Sequence, residues 1–158
     1  MKKTLYAVIL LLFSALCLPT PVQAADTTPN DRFALKGLQQ TRAIFDVRLA
    51  DLDKLLFNLG LIKETYEGIS SQKVKPQLVV TLRGPAVRLF TGDQAPAELK
   101  ELINDLKQKG IRIEICSIAT RVFKVDTRQL IPEVTLVGNV LTSQIAMQNK
   151  GYALITLN

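Results

Sequence analysis

Residues 96–117, PAELKELINDLKQKGIRIEICS, decide the fold. They read as one helix followed by one strand. Pro96 suits the first position of a helix, where its missing N–H removes no bond. Leu99, Leu102, Ile103 and Leu106 recur three and four residues apart and lay one apolar stripe along that helix. Gly110 stops it. Ile111 to Ile115 is a compact strand that delivers Cys116-Ser117 at its end, and a short helix is expected over Ile118 to Phe123.

The same alternation extends on both sides. Upstream, Leu78-Val79-Val80-Thr81-Leu82 is a β-rich run closed by the breaker cluster Arg83-Gly84-Pro85. Ala86 to Phe90 reads as a short helical turn. Before it, Leu52, Leu55, Leu56, Leu59, Ile62, Tyr66 and Ile69 form a helical stripe that Asp51 can cap. Gly68 or Ser70-Ser71 ends that helix. Thr41 to Leu49 is the first strand. Downstream, Pro132 punctuates a loop and Val134 to Val137 is a fourth strand. Asn139 caps a helix carrying Val140, Leu141, Ile145 and Met147, with Gly151 as its stop. Tyr152 to Leu157 is the last strand. Strands alternating with helices imply right-handed crossovers. The expected fold is therefore an α/β three-layer α/β/α sandwich on a mostly parallel five-stranded sheet. Strand order is not given by these patterns.

The N-terminus reads differently. Lys2 and Lys3 precede an unbroken apolar run from Leu5 to Leu18, then Pro19, Pro21 and Val22-Gln23-Ala24. That is the layout of a secretory signal. The run is shorter than the ~20 residues a helix needs to cross a bilayer. Residues 1–24 are read as a signal peptide cleaved after Ala24, 25–40 as a polar tether and 41–158 as the α/β domain. An uncleaved anchor is the alternative. A lipoprotein is disfavoured because Leu16 precedes Cys17 and the apolar run continues. The reading predicts a periplasmic protein with no membrane association beyond the signal.

Composition narrows the chemistry. The formal net charge is +6, and Lys2 and Lys3 contribute two of those charges. The basic residues are scattered and aromatics are few, so no nucleic-acid partner is expected. There is no histidine, which removes Ser-His-Asp and Cys-His catalysis and Cys/His zinc sites. Cys17 leaves with the signal, so Cys116 stands alone and an intramolecular dithiol is excluded. The glycine steps form neither a G-x-G-x-x-G nor a P-loop pattern, and no cofactor is expected.

In open parallel sheets, ligands bind beyond the carboxyl ends of the strands. Those ends are Arg48, Arg83-Gly84, Cys116-Ser117 and Gly138-Asn139. A thiol between a strand end and a helix start faces unpaired N–H groups and the positive end of a helix dipole, which favour the thiolate. Cys116 is thus the candidate nucleophile, or else a small buried hydrophobe. Arg48, Arg83, Arg88 and Arg121 would suit an anionic sulfur donor, or else are solvated surface residues. Arg48, Arg83 and Arg121, with Ser117 and Asn139, make up the candidate binding set. Asp46, inside an apolar strand, is read as a partly exposed position without a catalytic role.

The segments Ile113-Glu114-Ile115-Cys116-Ser117, Leu130-Ile131-Pro132-Glu133-Val134, Val137-Gly138 and Gln148-Asn149-Lys150-Gly151-Tyr152-Ala153 together resemble the DsrE/DsrF-like family. These are sulfur-relay proteins related to the Tus components and the YchN type. The resemblance spans Ala43 to Leu157. It implies the α/β/α fold, assembly into homo-trimers or hexamers, and persulfide sulfur carried on a cysteine after the third strand, the place of Cys116. The export signal departs from the cytoplasmic relays, so the sulfur donor and acceptor stay open. Three readings follow: a periplasmic sulfur carrier and possible sulfurtransferase, a non-catalytic oligomeric module binding a small ligand or partner, or a thiol forming mixed disulfides with another chain.

Overall fold

The computed structural model describes residues 29–92 and 94–157. The signal segment, its cleavage point and Cys17 lie outside the described residues. Along the chain run α1 (Arg32–Leu35), β1 (Gln40–Val47), α2 (Leu52–Ser71), β2 (Lys75–Leu82), a 3₁₀ segment (Gly84–Phe90), α3 (Ala97–Gln108), β3 (Arg112–Cys116), α4 (Ser117–Val122), a second 3₁₀ turn (Thr127–Gln129), β4 (Thr135–Val137), α5 (Val140–Gln148) and β5 (Ala153–Leu157). Among the described residues no helix is long and apolar enough to cross a membrane.

The five strands form one sheet in the order β4-β3-β2-β1-β5, and every pairing is parallel. The chain moves one way from β1 to β4 and then returns past β1 to place β5. Right-handed crossovers put connectors of opposite direction on opposite faces. Side-chain alternation shows the result. Phe45, Val47, Leu78, Val80, Leu82, Ile113 and Ile115 point into the large core with Leu55, Leu59 and Ile62 of α2 and Leu99, Ile103 and Leu106 of α3. Ile44 and Val79 point the other way and pack with Met147 of α5. Full burial of each such aliphatic side chain contributes about 1.5–3 kcal/mol.

Helix starts follow the expected chemistry. Lys54 N donates to the Asp51 carboxylate at 2.9 Å and Leu141 N to Asn139 Oδ1 at 3.0 Å. Gly110 takes φ +78°, a left-handed conformation that strains any side chain, which is why α3 stops there. Pro96 is the N-cap of α3 rather than its first residue, because its carbonyl accepts the first helical bond, from Lys100 N at 3.1 Å.

Other boundaries move for physical reasons. β2 begins at Lys75, three residues before the apolar run, and includes Pro76. Pro76 is tolerated because pairing with β3 starts only at Val79. Within the stretch read as a tether, Arg32–Leu35 makes one helical turn that buries nothing. Covering of the sheet is uneven. β1 to β3 are buried toward their carboxyl ends, whereas Ala153 to Thr156 of β5 are exposed.

Candidate functional site

Because the sheet is wholly parallel, the carboxyl ends of β1 to β4 open on one edge. Cys116 ends β3 and is the N-cap residue of α4. Its residue exposure is 5%, and it borders the large core. It also lines a cleft of about 250 Å³ that opens on this edge, with Arg83 and Gly84 after β2, Ala119 and Phe123 around α4, and Asn139 before α5. Ile118, Val122 and Leu141 complete mostly apolar walls. The thiol therefore sits low in an open cleft, neither on the surface nor sealed in the interior. α4 has six residues, so its dipole is smaller than that of a long helix.

Arg83 is the charged group of the cleft. Its Nε donates to Asp46 Oδ1 at 2.9 Å and its Nη2 to Asp46 Oδ2 at 2.8 Å, a two-pronged ion pair. The Arg83 side chain is 29% exposed. The hydrogen bond to Asp46 raises its pKa above the ordinary guanidinium value. Burial opposes this, and the charges of Asp46 and then Cys116 add to the rise.

Arg48 stands 3.7 Å from Asp46 Oδ2. It belongs to the cluster through that carboxylate and does not line the cleft. Asn139 lines the cleft while its side chain caps α5. Ser117 and Arg121 lie on α4 outside the cleft lining, and Arg121 is exposed. Arg88 stacks on Phe123, 5.1 Å from the ring centroid, on the side facing a neighbouring groove. Of the sequence-derived set, the structure gathers Cys116, Arg83 and Asn139, attaches Arg48 through Asp46, and leaves Ser117 and Arg121 aside. A helix immediately after a strand turns its successive side chains away from one another, which is how neighbours of Cys116 miss the cleft.

Asp46 corrects the reading of a partly exposed residue: it is only 2% exposed. Its register partner is Thr81, and Arg83 follows β2 two residues later, so the parallel pairing itself delivers the guanidinium to the carboxylate. The signal present in the sequence was an acid near the carboxyl end of an apolar strand. Phe123 and Leu141, which wall the cleft, carried no such signal.

Beneath α5 the sheet is polar. Gln144 Nε2 donates to Thr81 Oγ1 at 2.8 Å, and Thr81 Oγ1 donates to the Phe45 carbonyl at 3.3 Å. Ser143 Oγ donates to Glu114 Oε2 at 2.5 Å, and Arg112 Nε pairs with Glu114 Oε1 at 2.7 Å. These contacts seat α5 on the sheet and so fix Asn139 at the cleft rim.

Three kinds of similarity bear on this geometry. The family model described as the DsrE/DsrF-like family matches residues 45–157. An uncharacterized protein of Aquifex aeolicus (strain VF5) is 27% identical over 124 residues, which cover 72% of this chain and 55% of that protein. The chain thus spans about half the length of that curated relative. Among solved structures, MTH1491 from Methanobacterium thermoautotrophicum, a protein of unknown function, superposes with a TM-score of 0.64 at 18% identity. That match covers 73% of this chain and 98% of MTH1491. The ychN protein of E. coli superposes with a TM-score of 0.57 at 21% identity, over 73% of this chain and 99% of its own. At these identities the structures establish a shared fold.

Proposed function

Because the chain belongs to the DsrE/DsrF-like family, we propose that it is a periplasmic sulfur-handling protein that carries persulfide sulfur on Cys116. The observation that carries this reading is the placement of Cys116, the lone cysteine among the described residues, in an open cleft at the carboxyl edge of the sheet that Arg83 also lines. The step needs no cofactor. Cys116 thiolate attacks the outer sulfur of a donor persulfide R–S–SH. A new S–S bond forms on Cys116 as the donor S–S bond breaks, and R–S⁻ leaves with the electron pair. The product is Cys116–S–SH, which passes the same sulfur to an acceptor thiolate by the same exchange.

Incubation of the folded protein with polysulfide, followed by mass spectrometry, tests this. A Cys116 peptide heavier by one sulfur atom is expected, and none in Cys116→Ser. An alkylatable Cys116 that never loads sulfur overturns the reading. Low exposure of the thiol and the apolar walls favour one other reading, a non-catalytic module binding a small ligand in the same cleft. In that case Cys116→Ser keeps ligand binding and assembly.

Two further parts of the proposal have their own tests. Export is supported by Lys2-Lys3, the apolar run and Val22-Gln23-Ala24. N-terminal sequencing of protein from the periplasmic fraction is expected to begin at Ala25. Assembly into a homo-trimer or hexamer is supported by large exposed apolar residues, among them Phe57 (66%) and Ile145 (61%), and by the bare edge strand β5 with Leu154 and Ile155. Light scattering is expected to give three or six times the chain mass.

A further inference from the structure

We propose that Asp46 is a positioning residue of the Cys116 cleft, fixing Arg83 so that its free guanidinium edge recognises the anionic group of a small sulfur donor. The proposal rests on the sulfur-carrier reading for the identity of the reacting atom. It adds the residue that sets the geometry and the charge of the substrate class.

A carboxylate buried at the end of β1 is costly unless paired, and it is stable only with good geometry and satisfied lone pairs. Asp46 receives both prongs of Arg83 and has Arg48 at 3.7 Å. A guanidinium has five N–H donors in a rigid plane. The fork to Asp46 engages Nε–H and one Nη2–H. Among the described residues none accepts from Nη1. Two bonds to a buried carboxylate on a strand hold that plane still, which a single contact would not do. Arg83 also lines the cleft with Cys116, between largely apolar walls where attraction is less screened than in bulk water. Lysine cannot reproduce the arrangement, because its ammonium is a point charge on a flexible stem without a fixed second edge. In the transfer step the negative charge begins on Cys116 Sγ and ends on the departing thiolate. A guanidinium fixed in the same cleft as that sulfur draws in a charged donor and attracts the leaving anion.

The competition between iodoacetate and iodoacetamide for Cys116 reads this directly, since the two alkylating reagents differ chiefly in charge. The ratio of their rates is expected to fall roughly three- to tenfold in Asp46→Asn, Arg83→Lys and Arg83→Gln alike. The Asp46→Asn result is decisive in sign. Removing an acid makes the site more positive, so a role through net charge alone raises the ratio, whereas loss of positioning lowers it. A ratio unchanged or raised in Asp46→Asn, in protein with wild-type circular dichroism, overturns the proposal. If Asp46→Asn does not fold, Arg83→Lys, which keeps a cation for Asp46, carries the same two outcomes. Wild-type protein that shows the expected ratios but takes no sulfur from polysulfide sinks the carrier reading and leaves the positioning role standing. A wild-type Cys116 that reacts with neither reagent overturns both.

Discussion

On the face covered by α2 and α3, the sheet contributes Phe45, Val47, Leu78, Val80, Leu82, Ile113 and Ile115, all into one apolar core. On the face covered by α5, the same three strands contribute Asp46, Thr81 and Glu114 between Ile44 and Val79. Each of these polar side chains bonds to a specific partner: Arg83, Gln144 and Ser143. The first layer is held by area removed from water and has no directional requirement. The second is held by hydrogen bonds that work only in one geometry and contribute about 0.5–1.5 kcal/mol net where both partners are neutral and about 1.5–3 kcal/mol where one is charged. The comparison teaches where bulk packing and directed geometry are kept apart. The apolar layer makes the fold, and the polar layer aligns the residues around Cys116.

Substitutions on the two faces can break that division. Ile103→Ala empties a fully buried site on the apolar face and is expected to cost about 2–5 kcal/mol in urea unfolding. Glu114→Ala on the polar face removes the acceptor of Ser143 and the partner of Arg112. It is expected to cost about 1–3 kcal/mol, because Arg112 is half exposed and can turn to water. A Glu114 effect equal to that of Ile103 would mean that the polar layer also carries the fold.

The two helix caps sharpen the contrast. Asp51→Ala and Asn139→Ala are each expected to cost about 1 kcal/mol, since each removes one side-chain acceptor from a helix N-terminus. Only Asn139→Ala is expected to change the alkylation rate of Cys116, because only that cap lines the cleft. Equal changes in thiol reactivity from both caps would erase the distinction.

The smallest effect lies on the outer surface of the apolar layer, where Asp105 of α3 meets Lys63 of α2 at 2.7 Å and Lys109 at 3.0 Å. Hydrogen bonds from Lys63 and then Lys109 hold its pKa below the ordinary value of 3.8. A lowered folded pKa gives stability that is complete above the unfolded value and fades as pH falls through the folded one. Asp105→Asn is therefore expected to be slightly less stable than wild type at neutral pH. The two curves of stability against pH should converge below pH 3.8. A gap that persists in acid would place the effect in packing rather than in charge.

The apolar layer was also the more legible one. Stripes such as Leu55-Leu59-Ile62 and Leu99-Ile103-Leu106 announce helix, period and buried face at once, because burial of that kind depends on spacing alone. The caps Asp51 and Asn139 and the stop at Gly110 were readable for the same reason: their chemistry is local. The rule that strand ends share an edge placed Cys116 and Arg83 together, and both line the cleft. Asp46 was misjudged because its burial depends on a neighbour, β2, that brings Arg83 to it from a distant part of the sequence. Ser117 and Arg121 fall outside the cleft lining because nearness in sequence says nothing about which way a helical side chain leaves the axis. Strand order had no local signal, and the extension of β2 through Pro76 became possible only because β3 starts late.

The strand order has a consequence during synthesis. Among the strands described, β5 is made after all the others, yet it docks on β1, which is made before them, with Ala153 beside Ala43. Until β5 has been made, one side of β1 has no neighbour and offers its main-chain groups to any extended peptide nearby.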